Sequence, residues 1–375
     1  MLTREIASII VKETSIRLNR NINIMDDKGV IIASGNSARI GDIHEGALAV
    51  LRTGETISIT KEDVENWKGA MPGINLPIQF QDRVVGVIGI TGNPKELQEF
   101  AGLVKMTTEV LIKQEYISSQ MEWKQRTKER IIEDLLKTPP SLAHVERGLA
   151  LLGIHFIPPF TACVIQIEER DISNTVLLRR VEQLIGEREG IISLININRI
   201  FIAFQKMSSV DIEKKVMKVV AGLENMGVVC RLSYSSPFHN MAEFNTSYLD
   251  CDLALDISGK DEKIIPFSKV ESKALIFKIE LAEANKFSKR LMNKPLEKYA
   301  DTLQVFFDNN LNIHATAAAM FLHRNTLVYR LSKIQEETGF DPKVFYDALT
   351  LQLALWTTEK TRKTIPPAET EGKDG

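Results

Sequence analysis

Apolar residues fall in helix-period and strand-period blocks along the chain, and the order of those blocks predicts its elements. Leu2 to Leu18 carries Ile6, Ile9, Ile10 and Ile16 at helical spacing. Ile22–Ile24 and Val30–Ala33 flank Asp26-Asp-Lys-Gly29 and predict a β-hairpin, with Gly29 supplying the positive φ of its turn. A loop over Ser34–Ile43 leads to a helix that Asp42-x-x-Glu45 opens as a capping box and that carries Ala47, Leu48, Val50 and Leu51. Thr56–Thr60 reads as a strand, and Leu76–Phe80 with Val84–Thr91 as a second hairpin. From Pro94 nothing breaks a helix until Pro139-Pro140, and about 40 helical residues span about 60 Å.

Helix and strand periods then alternate. Ser141–Leu152, Asn174–Arg188, Val210–Glu224 and Met241–Leu255 read as helices. Between them lie strands at Thr161–Ile167 and Val228–Tyr234, and a hairpin made of Ile191–Ile197 and Ile200–Phe204. The end is helical, with segments at Leu281–Leu291, Pro295–Asn309 and Val344–Thr357, and from Thr358 the composition becomes that of a disordered tail.

Near residue 312 two short helical periods meet. Asn312 is an N-cap candidate for an Ala-rich helix with Ile313, Ala317 and Met320 on one face. After a break at Leu322-His323, Leu327, Leu331 and Ile334 form the buried stripe of a second helix. Asn325, Tyr329, Ser332 and Lys333 point the other way, with Arg330 on the shoulder. Two such helices with a short join fit a helix-turn-helix. Between Asp308 and Glu336 there is no Asp or Glu, while Arg324, Arg330 and Lys333 are present. Phosphates repel carboxylates and attract cations, so this window suits duplex DNA, with His323, Arg324, Asn325, Thr326, Tyr329, Arg330 and Lys333 as contact candidates. An ordinary helical hairpin with a basic outer face is the competing reading.

The 375 residues suffice for several domains, and the expected class is α+β multidomain. The divisions are a sensory α/β domain (1–95), a connecting helix (94–137) suited to transmission and dimerisation, a middle α/β sandwich (140–270), an all-α helix-turn-helix domain (271–358) and the tail (359–375). At 44% hydrophobic and 26% charged residues the chain is ordinary for a soluble globular protein. A net charge of −2 makes any nucleic-acid site local. Cys163, Cys230 and Cys251 are far apart without C-x-x-C spacing, so disulfides, metals and cofactors are not expected. The start is unlike a signal peptide and no apolar run reaches membrane-span length, which predicts a cytoplasmic protein with no membrane partner.

In the first domain polar residues converge in two loops. One holds Ser34, Gly35, Arg39 and His44; the other is Lys68-Gly-Ala-Met-Pro-Gly-Ile-Asn75. Exposed backbone N–H groups, Arg39, His44 and a helix N-terminus could together hold carboxylates. The alternative is that Glu45 occupies that terminus and His44 lies on the surface. Gly86-x-x-Gly89-x-x-Gly92 is not a dinucleotide fingerprint: its spacing is wrong and Gly86 and Gly89 sit within a strand, where close packing explains them.

Helices at the ends, a twisted antiparallel sheet and long loops over one face resemble PAS or Cache sensors. The middle alternation resembles nucleotide-cyclase-type domains, whose active members carry a Gly-Gly-Asp/Glu-Glu-Phe turn. Here that turn is Asn196-Ile-Asn-Arg199, without paired glycines or carboxylates to hold Mg²⁺, which predicts a degenerate domain and no enzyme activity. The segments Asn23–Gly35, Arg39-Ile-Gly-x-x-His-Glu-Gly-Ala47, Pro72-Gly-Ile-Asn-Leu-Pro-Ile78 and Val87–Gly92 resemble the recognition domain of carbohydrate (sugar) diacid regulators. Phe307-x-x-Asn-Leu-Asn312, His323–Leu331 and Leu351–Leu355 are similar to the output domain shared with purine-catabolism regulators.

The resemblance implies a homodimeric, DNA-binding transcription factor, usually an activator, responding to a small organic acid such as glucarate, galactarate or glycerate. By motif match the ligand-binding residues are Ser34, Gly35, Arg39, His44, Gly73, Ile74 and Asn75. It departs at Ser37-Ala38, which bears on ligand identity, and at His314-Ala315, which bears on the operator. The rival readings are a cyclase-like nucleotide enzyme with an accessory helical domain and a protein-binding scaffold.

Overall fold

The computed structural model describes residues 2–292 and 294–364. They form two compact units divided inside the long helix, between Arg126 and Thr127.

In the first unit α1 (Arg4–Leu18) starts on the Thr3 side chain, and β1 (Ile22–Met25) turns into β2 (Ile31–Ser34). α2 (Glu45–Thr53), β3 (Ile57–Ile59), β4 (Gly73–Phe80) and β5 (Arg83–Thr91) follow, then α3 (Pro94–Leu135). The strands form one sheet in the order β2-β1-β5-β4-β3, with each adjacent pair antiparallel. Strand alternation divides its side chains. Ile22, Ile24, Ile74, Leu76, Ile78, Ile88 and Ile90 pack with α1 and the first turns of α3. Met25, Ile31 and Val87 face the opposite side, where Ala47 and Val50 of α2 cover them. Gly86 lies where a Cβ would come within 2.5 Å of the Met25 carbonyl, which explains a glycine inside this strand.

The expectation that Asp42 caps α2 is corrected. His44 is the N-cap, its Nδ1 accepting from the Ala47 N–H at 3.2 Å. Residues 73–75, expected in a loop, form the start of β4 and pair with β3 and β5.

The second unit continues from the end of α3 through α4 (Leu142–Leu152), β6 (Phe160–Glu169), α5 (Asn174–Ile185), β7 (Gly190–Asn196) and β8 (Arg199–Gln205). Next come α6 (Ser209–Glu224), β9 (Val229–Tyr234), α7 (Phe244–Ile257) and β10 (Ile264–Pro266). Its sheet, in the order β10-β9-β6-β8-β7, has α5 and α6 on one face and α4, α7 and the last turns of α3 on the other. β10, parallel to β9, lies in a stretch the apolar pattern left unassigned. The turn at 196–199 is closed by Arg199, which donates to Gln166 at 2.6 Å and pairs with Asp252.

The helical end comprises α8 (Phe267–Lys278), α9 (Leu281–Leu291), α10 (Lys294–Lys298), α11 (Ala300–Asp308), α12 (Ile313–Ala319), α13 (Arg324–Thr338) and α14 (Phe345–Thr364). The single helix expected over Pro295–Asn309 is two helices, broken at Tyr299. Of the tail expected over 359–375, residues 359–364 are helical instead. α14 runs through Thr364, because Lys360 donates to the carbonyls of Phe277 and Ile279 and Lys363 to that of Asp256. Residues 365–375 lie outside the described ones. No helix among the described residues is long and apolar enough to cross a membrane.

Candidate functional site

The sheet register of the first unit builds a polar row. Ser34 pairs with Asn23, Asn23 with Gly89, Gly89 with Asn75, and Asn75 with Ile57, so one line crosses all five strands. Asn23 and Asn75 are buried and lie on the α2 face. Under the body of α2 this face is apolar; beyond the helix N-terminus it is polar. Ser34 Oγ donates to Asn23 Oδ1 at 2.6 Å and accepts from the Asn36 N–H, while Asn21 also donates to Asn23. Among the described residues the Asn75 side-chain amide has no hydrogen-bond partner.

Two glycines keep the row open. A Cβ at Gly89 would lie 2.9 Å from Asn75 Oδ1. One at Gly46, in the first turn of α2, would lie 3.0 Å from Asn75 Nδ2 and 3.1 Å from His44 Cε1. The Asn75 amide and the His44 imidazole therefore converge on Gly46.

His44 is buried, and its pKa falls to about 4, first through burial and then through the nearby Arg39 charge. It is therefore neutral near pH 7. Since Nδ1 accepts from Ala47, the proton sits on Nε2, leaving that nitrogen a donor. The alternative of a surface histidine is corrected, since the side chain is buried at the start of α2. Arg39, from a short 3₁₀ turn, donates through Nη2 to the Gly69 carbonyl and so ties the 36–43 loop to the 67–72 loop. Its Nη1 is buried without a partner. Glu45 turns outward to accept from the Lys68 N–H at 2.7 Å, so its carboxylate does not fill the helix end. The first N–H groups of α2 have no intrahelical acceptor and carry the positive end of the helix dipole.

The cluster is rich in donors: Arg39 Nη1, His44 Nε2 and the α2 N-terminus beside two asparagine amides. This chemistry suits a carboxylate bearing neighbouring hydroxyls. Of the residues named from the sequence, Arg39, His44 and Asn75 gather at the α2 N-terminus, while Ser34 lies in the same polar row three strands from Asn75 and is bonded to Asn23. Ile74 does not join them: alternation turns its side chain to the α1 face, where it is core. Gly73 packs against β5, a Cβ there meeting the Ile90 carbonyl at 2.2 Å, and Gly35 is exposed at the sheet edge beside Asn21. Asn23, Gly46 and Gly89 were not foreseen. A lone Asn between Ile22 and Ile24 was the available signal for the first.

In the second unit Asn312 caps α12 through Ala315 N–H, and His323 caps α13 through Asn325 N–H. Leu327, Leu331 and Ile334 are buried with Leu296, Leu303, Phe306 and Leu351. His323, Arg324, Asn325, Thr326 and Tyr329 are exposed on the first turns of α13. Lys333 is half-buried and paired with Glu336 at 2.8 Å. Arg330 is turned inward, donating to Thr302 Oγ1 at 2.9 Å with its guanidinium 5.7 Å from the Tyr299 ring centre.

Three family models match in succession: "Putative sugar diacid recognition" at residues 2–135, "GGDEF-like domain" at 137–257 and "PucR C-terminal helix-turn-helix domain" at 299–357. The chain is 27% identical to the carbohydrate diacid regulator of Escherichia coli (strain K12), over 96% of its own length and 98% of that protein's. It is also 27% identical to the uncharacterized protein YsfB of Bacillus subtilis (strain 168), over 96% of this chain and 98% of that one. Among solved structures a regulator of polyketide synthase expression from Bifidobacterium adolescentis aligns at 15% identity and a TM-score of 0.30, covering 65% of this chain and 93% of that one. The three modules in this order, with similarity running almost end to end, make the chain similar to the carbohydrate diacid regulator throughout, with a sugar-diacid-recognition-type first module and a PucR-type helix-turn-helix last.

Proposed function

We propose that the chain is a ligand-responsive transcription activator that binds double-stranded DNA as a homodimer and senses a small organic acid. The observation that carries the DNA reading is the exposed first half of α13. His323, Arg324, Asn325, Thr326 and Tyr329 face solvent there, and no carboxylate occurs from Asn309 to Gln335. The helix is anchored from behind by Leu327, Leu331 and Ile334, so its outer face is free to lie in a major groove. The sensing reading rests on the donors around Gly46 and Asn75, with glucarate, galactarate and glycerate as ligands. Each combines a carboxylate, for Arg39 and the α2 N-terminus, with hydroxyls, for Asn23, Ser34 and Asn75.

For gating, the acid must bind one state of the protein better than another. Drawing the 36–43 and 67–72 loops together over the sheet is such a change, and α3 leads directly from this unit into the next. A nucleotide-cyclase reading is disfavoured by the 196–199 turn, where Arg199 is tied to Gln166 and Asp252 and no carboxylate pair is present. The site is tested by thermal stabilisation of the full chain with a panel of three- to six-carbon mono- and diacids. The expected result is a raised melting temperature with at least one acid, lost in Asn75→Ala. No stabilisation by any member of the panel overturns the ligand assignment.

A further inference from the structure

α3 has two apolar faces. Leu97, Ala101, Val104, Thr108 and Ile112 are buried against the sheet of the first unit. A second stripe is not covered: Phe100, Leu103, Met106, Val110, Ile117 and Met121 are each 44–58% exposed. Its spacing is that of a coiled-coil seam. Phe100, Thr107, Gln114 and Met121 recur every seven residues, with Leu103, Val110 and Ile117 three residues after the first three of them. The exposed apolar area is on the order of 500 Å², the size of the largest apolar patch on a typical monomer, which is often an interaction site.

We propose that a second copy of this chain covers the seam, in parallel and in register, over residues 100–121. A heptad stripe is matched by a helix with the same repeat, and an identical α3 supplies one. Charge agrees. Among the seam and its flanking positions from Phe100 to Met121, Lys113 alone is charged, so the complement is an apolar helix rather than an acidic peptide or a nucleic acid. Two copies bring together on the order of 1,000 Å², the lower bound for a specific interface. Parallel pairing in register sets Gln114 against its own counterpart, where the two amides bond to each other; a slipped or antiparallel pair would bury each against methyl groups. The seam stops where the next core position is Lys124. This gives the homodimer of the proposed function its surface, but it is tested without DNA.

The full chain is examined by sedimentation equilibrium at low micromolar concentration. A dimer is expected, and Val110→Glu or Ile117→Glu weakens it by about a hundredfold or more, because each places a charge in the closed seam. Both positions are exposed in one copy, so the circular dichroism spectrum should not change. Orientation is read by oxidative cross-linking of single-cysteine variants, against a background of buried native thiols. Phe100→Cys, Gln114→Cys and Met121→Cys should each link to themselves, and Ser119→Cys, on the far side of the helix, should not. A monomeric wild type, a dimer indifferent to both glutamates, or linking at 119 as fast as at 114 overturns the proposal. A chain that dimerises through the seam yet binds no duplex refutes the proposed function and leaves this interface standing.

Discussion

At the scale of single residues His44 is the most informative. Its folded pKa of about 4 lies below the ordinary histidine value, so the unfolded chain binds the extra proton more readily. The stability this group contributes is complete above pH 6.5 or so and is lost as pH falls towards 4. Between pH 7 and 5 the loss is about 2 kcal/mol. Amide exchange at β1 and β5 in the full chain should therefore accelerate over that interval. His44→Asn, which keeps a capping side chain but does not titrate, should remove the acceleration. Gly46→Ala tests the neighbouring space. Helix propensity alone favours alanine by up to about 1 kcal/mol. Its methyl, however, would stand 2.9 Å from Ile59 Cδ1 and 3.0 Å from Asn75 Nδ2. The expected variant is folded but gains no thermal stability from an acid that stabilises the wild type; unchanged stabilisation would remove Gly46 from the site. The nearness of Arg39, His44 and Asn75 was legible because polar residues concentrate in two short stretches. The roles of Asn23 and Ile74 were not, since a strand's polar side reads as solvent-facing until α2 is seen to cover it.

At the scale of elements, α13 separates two arginines that look equivalent in sequence. Arg324 is exposed in the first turn, while Arg330 bonds Thr302 and lies over Tyr299. Arg324→Glu should lower DNA affinity and reduce the salt slope of log Kobs by about one unit, with folding unchanged. Arg330→Ala should instead destabilise the helical end by about 1–2 kcal/mol, measured as a shift in the unfolding midpoint. Equal effects of the two changes on stability would contradict this division. The buried stripe and the Asn312 cap of the helix-turn-helix could be read from spacing, because they are local, whereas His323 was read as part of the break and not as the cap of α13. The break at Tyr299 could not, as no glycine marks it and Pro295 suits the start of a helix. Nor could the last turns of α14: Thr358–Thr364 is polar, and only the carbonyls of Phe277, Ile279 and Asp256 explain why Lys360 and Lys363 keep it helical.

At the scale of the whole molecule, three modules follow one another along the chain: a sugar-diacid-recognition match, a GGDEF-like match and a PucR-type helix-turn-helix match. Element order was legible for both sheets apart from β10, since each strand and helix carries its own period. What periodicity cannot supply is which strands become neighbours, and it is the β1–β5–β4 pairing that brings Asn23, Gly89 and Asn75 into one row. On this account the row and the outer face of α13 are two sites on one chain, coupled by a free energy that acid binding reveals. Fluorescence anisotropy of duplex DNA from the promoter region of its own gene, titrated with the full chain with and without saturating glucarate, galactarate or glycerate, measures that coupling directly. The account predicts that at least one acid changes the affinity by about fivefold or more, and that Asn75→Ala abolishes the change while leaving acid-free binding intact. The same affinity with every acid, or no binding to the duplex at all, would contradict it.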